Sequence, residues 1–222
     1  VKGVPITQYC DEAGLGTRER LALFGDVCAA ISHAHQKGII HRDIKPSNVM
    51  LLDGGGVKLM DFGVARLEDA GDETQVGTRI GTLSYMAPEQ IQGVAVDHRI
   101  DLFAAGVILY QCLTGRKPFA GSEWELQRKI MFEPAEPPSR FNPGVSPALD
   151  AVVAQAMAKV PEQRFASAGE FQLALEQALR ASPPALAASG APDDDATRVL
   201  APGEPLHDLF AVAPGDETGL RQ

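Results

Sequence analysis

The stretch HRDIKPSNVM, residues 41–50, places His, Arg, Asp, Lys and Asn close together and then turns apolar. The sequence that follows predicts two short strands, Val49–Leu52 and Val57–Met60, because a glycine-rich turn at 53–56 separates two apolar runs. A second acid, Asp61, comes directly after this hairpin. If the hairpin folds back, the polar groups on its two sides can converge.

The converging set would be Asp43, Lys45, Asn48 and Asp61. Phosphoryl transfer uses this inventory: a carboxylate to accept the proton of a hydroxyl, a cation beside the moving phosphoryl group, and an amide with a carboxylate to hold magnesium. A glycosidase also uses two acids, but it needs neither the Lys nor the Asn. The set therefore favours phosphoryl transfer.

Composition limits the class of protein. A chain of 222 residues with 45% hydrophobic content is typical of one globular unit, and a net charge of −9 argues against a nucleic-acid surface. No apolar run reaches the roughly 18 residues that span a bilayer, so we predict no membrane segment in this chain. Three cysteines, Cys10, Cys28 and Cys112, fit a reducing compartment as small buried side chains. We expect a cytoplasmic location, with a membrane anchor elsewhere in the full-length protein as an open alternative.

Apolar spacing predicts the helices. Residues 17–38 carry one apolar stripe, with Thr17 as N-cap and Gly38 at the C-terminal end. Residues 100–115 are apolar on nearly every side and end at Gly115, which indicates a helix buried at the centre of the domain. Further helix starts are predicted at Ser122 with Glu125, Ser146 with Pro147, and Ser167 with Glu170.

We therefore predict a mainly α (α+β) domain over residues 1–181, with one small hairpin. Residues 182–222 are rich in Ala, Pro, Gly and Asp and are predicted to be a disordered tail. Within this tail Thr197 follows three acids, a pattern similar to the phosphothreonine sites that forkhead-associated domains bind. A disordered spacer is the simpler interpretation.

The ordered motifs resemble the large, C-terminal lobe of a eukaryotic-type serine/threonine protein kinase, most similar to the bacterial members. In chain order they are His41-Arg42-Asp43, Lys45-Pro46-Ser47-Asn48, Asp61-Phe62-Gly63, Ala87-Pro88-Glu89, Asp101, Gly106 and Arg164. The resemblance covers about residues 1–180 and implies a kinase-like fold, with ATP and Mg²⁺ as cofactors. It also implies protein substrates with Ser or Thr acceptors.

The resemblance assigns a role to each polar residue of the cluster. Asp43 would be the base that accepts the proton of the substrate hydroxyl, and Lys45 would neutralise charge on the transferring phosphoryl group. Asn48 and Asp61 would bind magnesium. Met50 occupies the position that forms the floor beneath adenine.

Structural roles are implied for His41, Phe62, Gly63, Glu89, Asp101 and Arg164. His41 and Phe62 resemble part of an apolar stack whose alignment separates active from inactive states. Glu89 and Arg164 match a buried ion pair that connects the activation segment to the last helices. Asp101 would support the catalytic loop.

Regulation is implied by Arg42, next to the catalytic Asp, because an arginine can pair with a phosphothreonine and order a loop. Thr74 and Thr78 are the candidate phosphorylation sites, and ordinary solvated threonines are the alternative interpretation. Thr82, ahead of Tyr85-Met86-Ala87, resembles the serine/threonine-specific members of the family.

The sequence lacks the glycine-rich loop, strand lysine and partner glutamate that the family's small lobe supplies. We expect that lobe to be encoded upstream of Val1. The alternative is a catalytically inactive, pseudokinase-like binding or scaffold module. The protein substrate, the activating signal and the oligomeric state do not follow from the sequence.

Overall fold

The computed structural model describes residues 3–52, 55–62 and 81–181. These residues contain a three-stranded antiparallel sheet in the order β1 (Gly3–Pro5), β2 (Val49–Leu52) and β3 (Val57–Leu59). The predicted β2–β3 hairpin is confirmed, with Met50 opposite Lys58, although β3 ends one residue before Met60. Strand β1 was not predicted, because three residues ending in Pro are too short to show the alternation of a strand.

The helices are mostly those that the sequence predicted. Their bounds are α1 (Ile6–Glu12), α2 (Thr17–Gln36), α3 (Pro88–Gln92), α4 (Arg99–Thr114), α5 (Glu123–Phe132), α6 (Pro147–Ala156) and α7 (Ala168–Ala181). Short 3-10 turns lie at Pro46–Asn48, Pro138–Arg140 and Pro161–Gln163. The mainly helical fold with a small sheet is therefore confirmed.

Helix α4 is the centre of the core. Every residue from Ile100 to Tyr110 is buried, which confirms the predicted central helix. A Cβ at Gly106 would lie 2.9 Å from the Cβ of Ala156 in α6, so glycine allows these two helices to approach closely. The apolar stripe of α2 and the helices α1 and α6 pack around α4.

The start of α2 differs from the prediction. Thr17 is the first helical residue, and Gly16 is the N-cap. Glu19 reaches back so that its Oε2 accepts a hydrogen bond of 2.6 Å from the amide of Gly16. The predicted Thr17 cap is thus wrong. Gly16 is the cap residue, and Glu19, three residues after Gly16, accepts the hydrogen bond of its backbone amide. The C-terminal end agrees with the prediction, since Gly38 has a φ of 72°.

The other predicted helix starts are present. Ser122 accepts a hydrogen bond from the amide of Glu125, and Ser146 accepts one from the amide of Leu149. Ser167 accepts from the amide of Glu170 at 3.1 Å, while the Glu170 carboxylate accepts from Ala166. These caps begin α5, α6 and α7, of which α6 packs directly against α4.

The predicted tail at 182–222 lies outside the described residues, so the domain boundary stays a prediction. In the described part of the chain, no helix combines the length and the apolar character that crossing a membrane requires.

Candidate active site

Asp101, at the start of α4, holds the backbone of the loop that contains Asp43. Its Oδ2 accepts a hydrogen bond from the amide of His41 at 2.8 Å, and its Oδ1 accepts one from the amide of Arg42 at 2.9 Å. Arg42 has a φ of 68°, a left-handed conformation that costs free energy for any residue other than glycine. His35 Nε2 lies 2.8 Å from Asp101 Oδ2, the same oxygen that accepts from the His41 amide, and so helps to orient the carboxylate. The buried carboxylate therefore stabilises a strained backbone beside Asp43.

We expect Asp101→Asn to lower the free energy of unfolding by about 1–3 kcal/mol. The asparagine side chain keeps one acceptor oxygen, but its NH₂ group would face a backbone N–H of the loop, which is itself a donor. Urea unfolding of the 222-residue chain measures this loss. The matched control is Asp26→Asn, the same change at an exposed position on α2, which should unfold with the wild type. If both variants unfold at the wild-type urea concentration, Asp101 does not hold the loop.

His41 connects the same loop to the end of β3. Its Nε2 lies 2.8 Å from the carbonyl oxygen of Met60. Because a carbonyl can only accept, Nε2 carries the proton, and Nδ1 accepts a long hydrogen bond of 3.4 Å from the amide of Asp43. The ring centroid of Phe62 lies 4.6 Å from that of His41. His41 thus joins the loop, the strand end and Phe62.

Three of the four predicted site residues are in direct contact. Lys45 Nζ donates a hydrogen bond of 2.9 Å to Asp43 Oδ2. Asn48 Nδ2 donates to the backbone oxygen of Asp43 at 2.9 Å and lies 3.3 Å from its Oδ2. The 3-10 turn at Pro46–Asn48 returns the chain so that Asn48 faces Asp43. Since the NH₂ group of Asn48 is engaged with Asp43, its amide oxygen remains as the group that can accept or ligate.

Asp61 lies next to this cluster without contacting it. The amide of Met60 donates to the backbone oxygen of Asn48 at 2.8 Å, so the residue before Asp61 is tied to the loop. Asp61 itself has a φ of 54° and is exposed. Among residues 3–52, 55–62 and 81–181 we find no hydrogen bond or ion pair to its carboxylate. The structure therefore positions the Asp61 backbone beside the site and leaves its side chain in solvent.

The residues present fit a nucleotide-bound magnesium ion. Mg²⁺ is usually held by one or two protein oxygens together with substrate phosphates, and the amide oxygen of Asn48 and the carboxylate of Asp61 are ligands of that kind. A fully protein-built metal site is absent from the described ranges, where no group of three or more His, Cys, Asp or Glu side chains is placed to hold an ion. Met50 is half-buried and alternates with the buried Val49 and Leu51, so it lies on the sheet face that points away from the core.

A small cavity beside Asp43 is lined in part by residues on either side of the Ala87-Pro88-Glu89 motif. Thr82 and Tyr85 are buried there, and Gln90 Nε2 donates to the backbone oxygen of Arg42 at 3.1 Å. The Gln90 side-chain oxygen accepts from the amide of Ala87 at 3.0 Å, so this residue links the start of α3 to the loop. Burial raises the pKa of Tyr85 to about 12, which keeps its hydroxyl neutral.

Glu89 and Arg164 form a buried, two-pronged ion pair. Arg164 Nη1 and Nη2 donate to the two carboxylate oxygens of Glu89 at 2.6 and 2.7 Å. The remaining donors of Arg164 bind the backbone oxygens of Ala158, Arg99 and Lys159, and its guanidinium lies over the ring of Phe103. This pair connects α3 to α4 and to the segment before α7.

The candidate regulatory residues are only partly described. Arg42 is exposed next to Asp43, and Thr82 is buried in the cavity wall. Gly63, Thr74 and Thr78 lie outside the described residues.

Two positioning residues were missed at the sequence level. His35 lies within residues 17–38, for which only an apolar stripe is predicted, and its contact with Asp101, 66 positions away, leaves no local pattern. Gln90 could have been found, because it stands three residues after Ala87 at the start of a helix that begins with Pro88, where a Gln side chain reaches back to the cap.

The sequence of the chain is similar to a known protein family and to several known proteins. The family described as "protein kinase domain" matches residues 4–178. The chain is 38% identical over 223 residues to serine/threonine-protein kinase PknB of Mycolicibacterium smegmatis, covering 99% of this chain and 34% of that protein. It is 38% identical over 225 residues to PknB of Mycobacterium tuberculosis, with 100% and 34% covered.

A further relative is serine/threonine-protein kinase Pkn1 of Myxococcus xanthus, 46% identical over 165 residues, with 72% of this chain and 24% of that protein covered. The chain thus spans about a third of the length of the two PknB proteins, at 34% each.

Proposed function

The chain belongs to the protein kinase domain family, and we propose that it is the C-terminal lobe of a protein-serine/threonine kinase that transfers the γ-phosphate of ATP to Ser or Thr residues of proteins. The observation that carries this proposal is the contact of Asp43 with both Lys45 and Asn48. The names of the relatives, serine/threonine-protein kinases, support the acceptor class.

Asp43 would accept the proton of the substrate hydroxyl. The hydroxyl oxygen then forms a bond to the γ-phosphorus, and the bond between that phosphorus and the oxygen bridging to the β-phosphate breaks. Lys45, 2.9 Å from Asp43 Oδ2, places a positive charge where negative charge develops on the transferring group. The backbone bonds from Asp101 keep Asp43 in place while this happens.

Asn48 and Asp61 would hold magnesium, and Met50 would contact adenine. When bound, magnesium neutralises charge on the phosphate oxygens. Asn48 is oriented for this by its bond to the Asp43 backbone, and Asp61 is exposed and able to turn toward a nucleotide. His41 and Phe62 would keep Asp61 at the mouth of the site.

We also propose that the domain ends at residue 181 and that residues 182–222 form a spacer. A forkhead-associated domain could bind this spacer at Thr197. A cytoplasmic location, where ATP and reduced cysteines occur together, is part of the proposal as well. We also propose that Arg42 pairs with a phosphate on Thr74 or Thr78, because its exposed side chain stands beside Asp43. Peptide mapping of active protein that finds neither threonine modified would exclude that pairing.

The test is a phosphotransfer assay with the complete protein that the gene encodes. Incubation with Mg²⁺, γ-labelled ATP and a mixture of unfolded proteins should place label on serine and threonine. Removal of Mg²⁺ with a chelator should abolish the labelling. If nucleotide binds without any transfer, the scaffold alternative is correct and the kinase proposal is wrong.

A further inference from the structure

A lysine in the loop after α4 lies against the segment that precedes the motif at 87–89. Lys117 Nζ donates a hydrogen bond of 3.2 Å to the hydroxyl oxygen of Ser84. The same ammonium group lies 5.2 Å from the centroid of the Tyr85 ring. Tyr85 in turn lines the small cavity beside Asp43. A positive charge therefore contacts the wall of the cavity that borders the proposed base.

The surface that Lys117 contacts is held in place by the central helix. The Tyr85 hydroxyl donates a hydrogen bond of 2.8 Å to the side-chain oxygen of Gln111 on α4. Ser84 and Tyr85 are both buried. The ring therefore offers the ammonium group a fixed aromatic face, which attracts a cation. The groups that hold Lys117 are thus neutral ones, a hydroxyl and an aromatic ring.

The charge of Lys117 has no carboxylate partner in the described part of the chain. Within residues 3–52, 55–62 and 81–181 we find one hydrogen bond from its ammonium group, which has three protons to donate. Lys45, by contrast, pairs with Asp43 at 2.9 Å, and Lys159 donates to two backbone oxygens. Partial burial lowers the pKa of Lys117, as expected for a cation that loses water without gaining an opposite charge. A carboxylate arriving from outside would supply that charge.

The preceding residue adds a second positive charge. Arg116 is exposed, and its guanidinium lies over the ring of Phe141, 4.7 Å from the centroid. Among the residues that the structure describes, we find no ion pair from Arg116 either. Two adjacent cations without acidic partners form a local basic site on a chain whose net charge is −9.

A protein substrate would pass close to this basic site. Its hydroxyl must reach Asp43, and Tyr85 lies between the cavity at Asp43 and Lys117 in the chain of contacts. An extended chain advances about 3.3 Å per residue, so a side chain a few positions from the acceptor can reach beyond the cavity wall.

We propose that Lys117 selects protein substrates that carry Asp or Glu a few residues from the acceptor Ser or Thr. The substrate carboxylate accepts a hydrogen bond from the Lys117 ammonium group, and Arg116 adds positive potential. Because this contact involves a part of the substrate that does not react, it lowers KM more than it changes kcat. The inference rests on the proposed phosphotransfer function.

The test extends the phosphotransfer assay of the complete protein with a mixture of unfolded proteins. Peptide mapping locates the labelled serines and threonines, and the residues around them are compared with those around the unlabelled serines and threonines of the same proteins. We expect Asp and Glu to be enriched at one or two positions relative to the labelled residue. Lys117→Met should lose this enrichment, and Lys117→Glu should replace it with an enrichment of Lys and Arg.

The matched control is Lys37→Met, which removes a lysine charge at an exposed position at the end of α2. It should keep the enrichment of acids that the wild type shows.

A pair of peptides gives the size of the effect. One peptide copies the most strongly labelled site, and in the other each enriched acid is replaced by its amide. For the wild type the KM of the amide peptide should be about tenfold higher, since a hydrogen bond to a charged group contributes free energy of that order. The two peptides should have equal KM with Lys117→Met, while Lys37→Met should keep the tenfold ratio.

Two results would overturn the inference and leave the kinase proposal standing: labelling without enrichment of acids, and an enrichment that Lys117→Met retains. The absence of any labelling by the wild type would overturn the proposed function, and this inference with it.

Discussion

Asp43→Asn is expected to lower the rate of phosphotransfer by the complete protein roughly 10²- to 10⁴-fold, the usual contribution of a positioned general base. The amide cannot take the proton of the substrate hydroxyl at neutral pH. It is close to the carboxylate in size, and its side-chain oxygen can still accept from Lys45. The KM for ATP should change little, since the proposed magnesium ligands are Asn48 and Asp61.

Initial rates with γ-labelled ATP and a saturating protein substrate measure this effect. Asp26→Asn is the matched control, because it makes the same chemical change at an exposed position on α2. Its rate should equal that of the wild type. Equal rates for Asp43→Asn and the wild type would rule out Asp43 as the base.

The second large effect is expected at the buried ion pair. Arg164→Met should lower the free energy of unfolding by about 3–5 kcal/mol, because it leaves the Glu89 carboxylate buried without a positive partner. The Glu89 residue is 7% exposed, so water cannot replace the lost donors without local opening. The backbone oxygen of Ala158 loses its donor as well.

Urea unfolding of the 222-residue chain measures this loss. Arg180→Met is the control, since the Arg180–Glu176 pair is 3.6 Å apart and exposed, and it should unfold with the wild type. The double variant Glu89→Met/Arg164→Met should be more stable than Arg164→Met alone, because no charge is left unpaired. If Arg164→Met unfolds at the wild-type urea concentration, the pair does not hold α3 to the core.

Much of the fold follows from local sequence patterns. Helix α4 is recognisable because it is apolar on every side. The cap at Ser122 is indicated by Glu125 three positions later, and the cap at Ser146 by Pro147 directly after it. Strand β1 and helix α1 were not predicted, since a three-residue strand and a seven-residue helix are too short to show a period. Strand β1 pairs with β2 and helix α1 packs against α4, and both partners are distant in sequence, so no local pattern indicates them.

In the candidate site, too, the local contacts could be predicted from the sequence and the long-range contacts could not. The residues within 41–50 could be predicted because the polar groups are adjacent in sequence and the 3-10 turn at Pro46–Asn48 brings them together. The bonds from Asp101 to the loop join residues about 60 positions apart, and they were anticipated only through the family resemblance.

The central claim is that Asp43, Lys45, Asn48 and Asp61 meet around nucleotide-bound magnesium. It is tested most directly by a crystal structure of the complete protein with Mg²⁺ and a non-hydrolysable ATP analogue. We predict that the amide oxygen of Asn48 and a carboxylate oxygen of Asp61 lie about 2.0–2.1 Å from the ion, with Lys45 directed at the γ-phosphate. A magnesium ion bound without either side chain, with Asp61 turned away from the nucleotide, would contradict the claim.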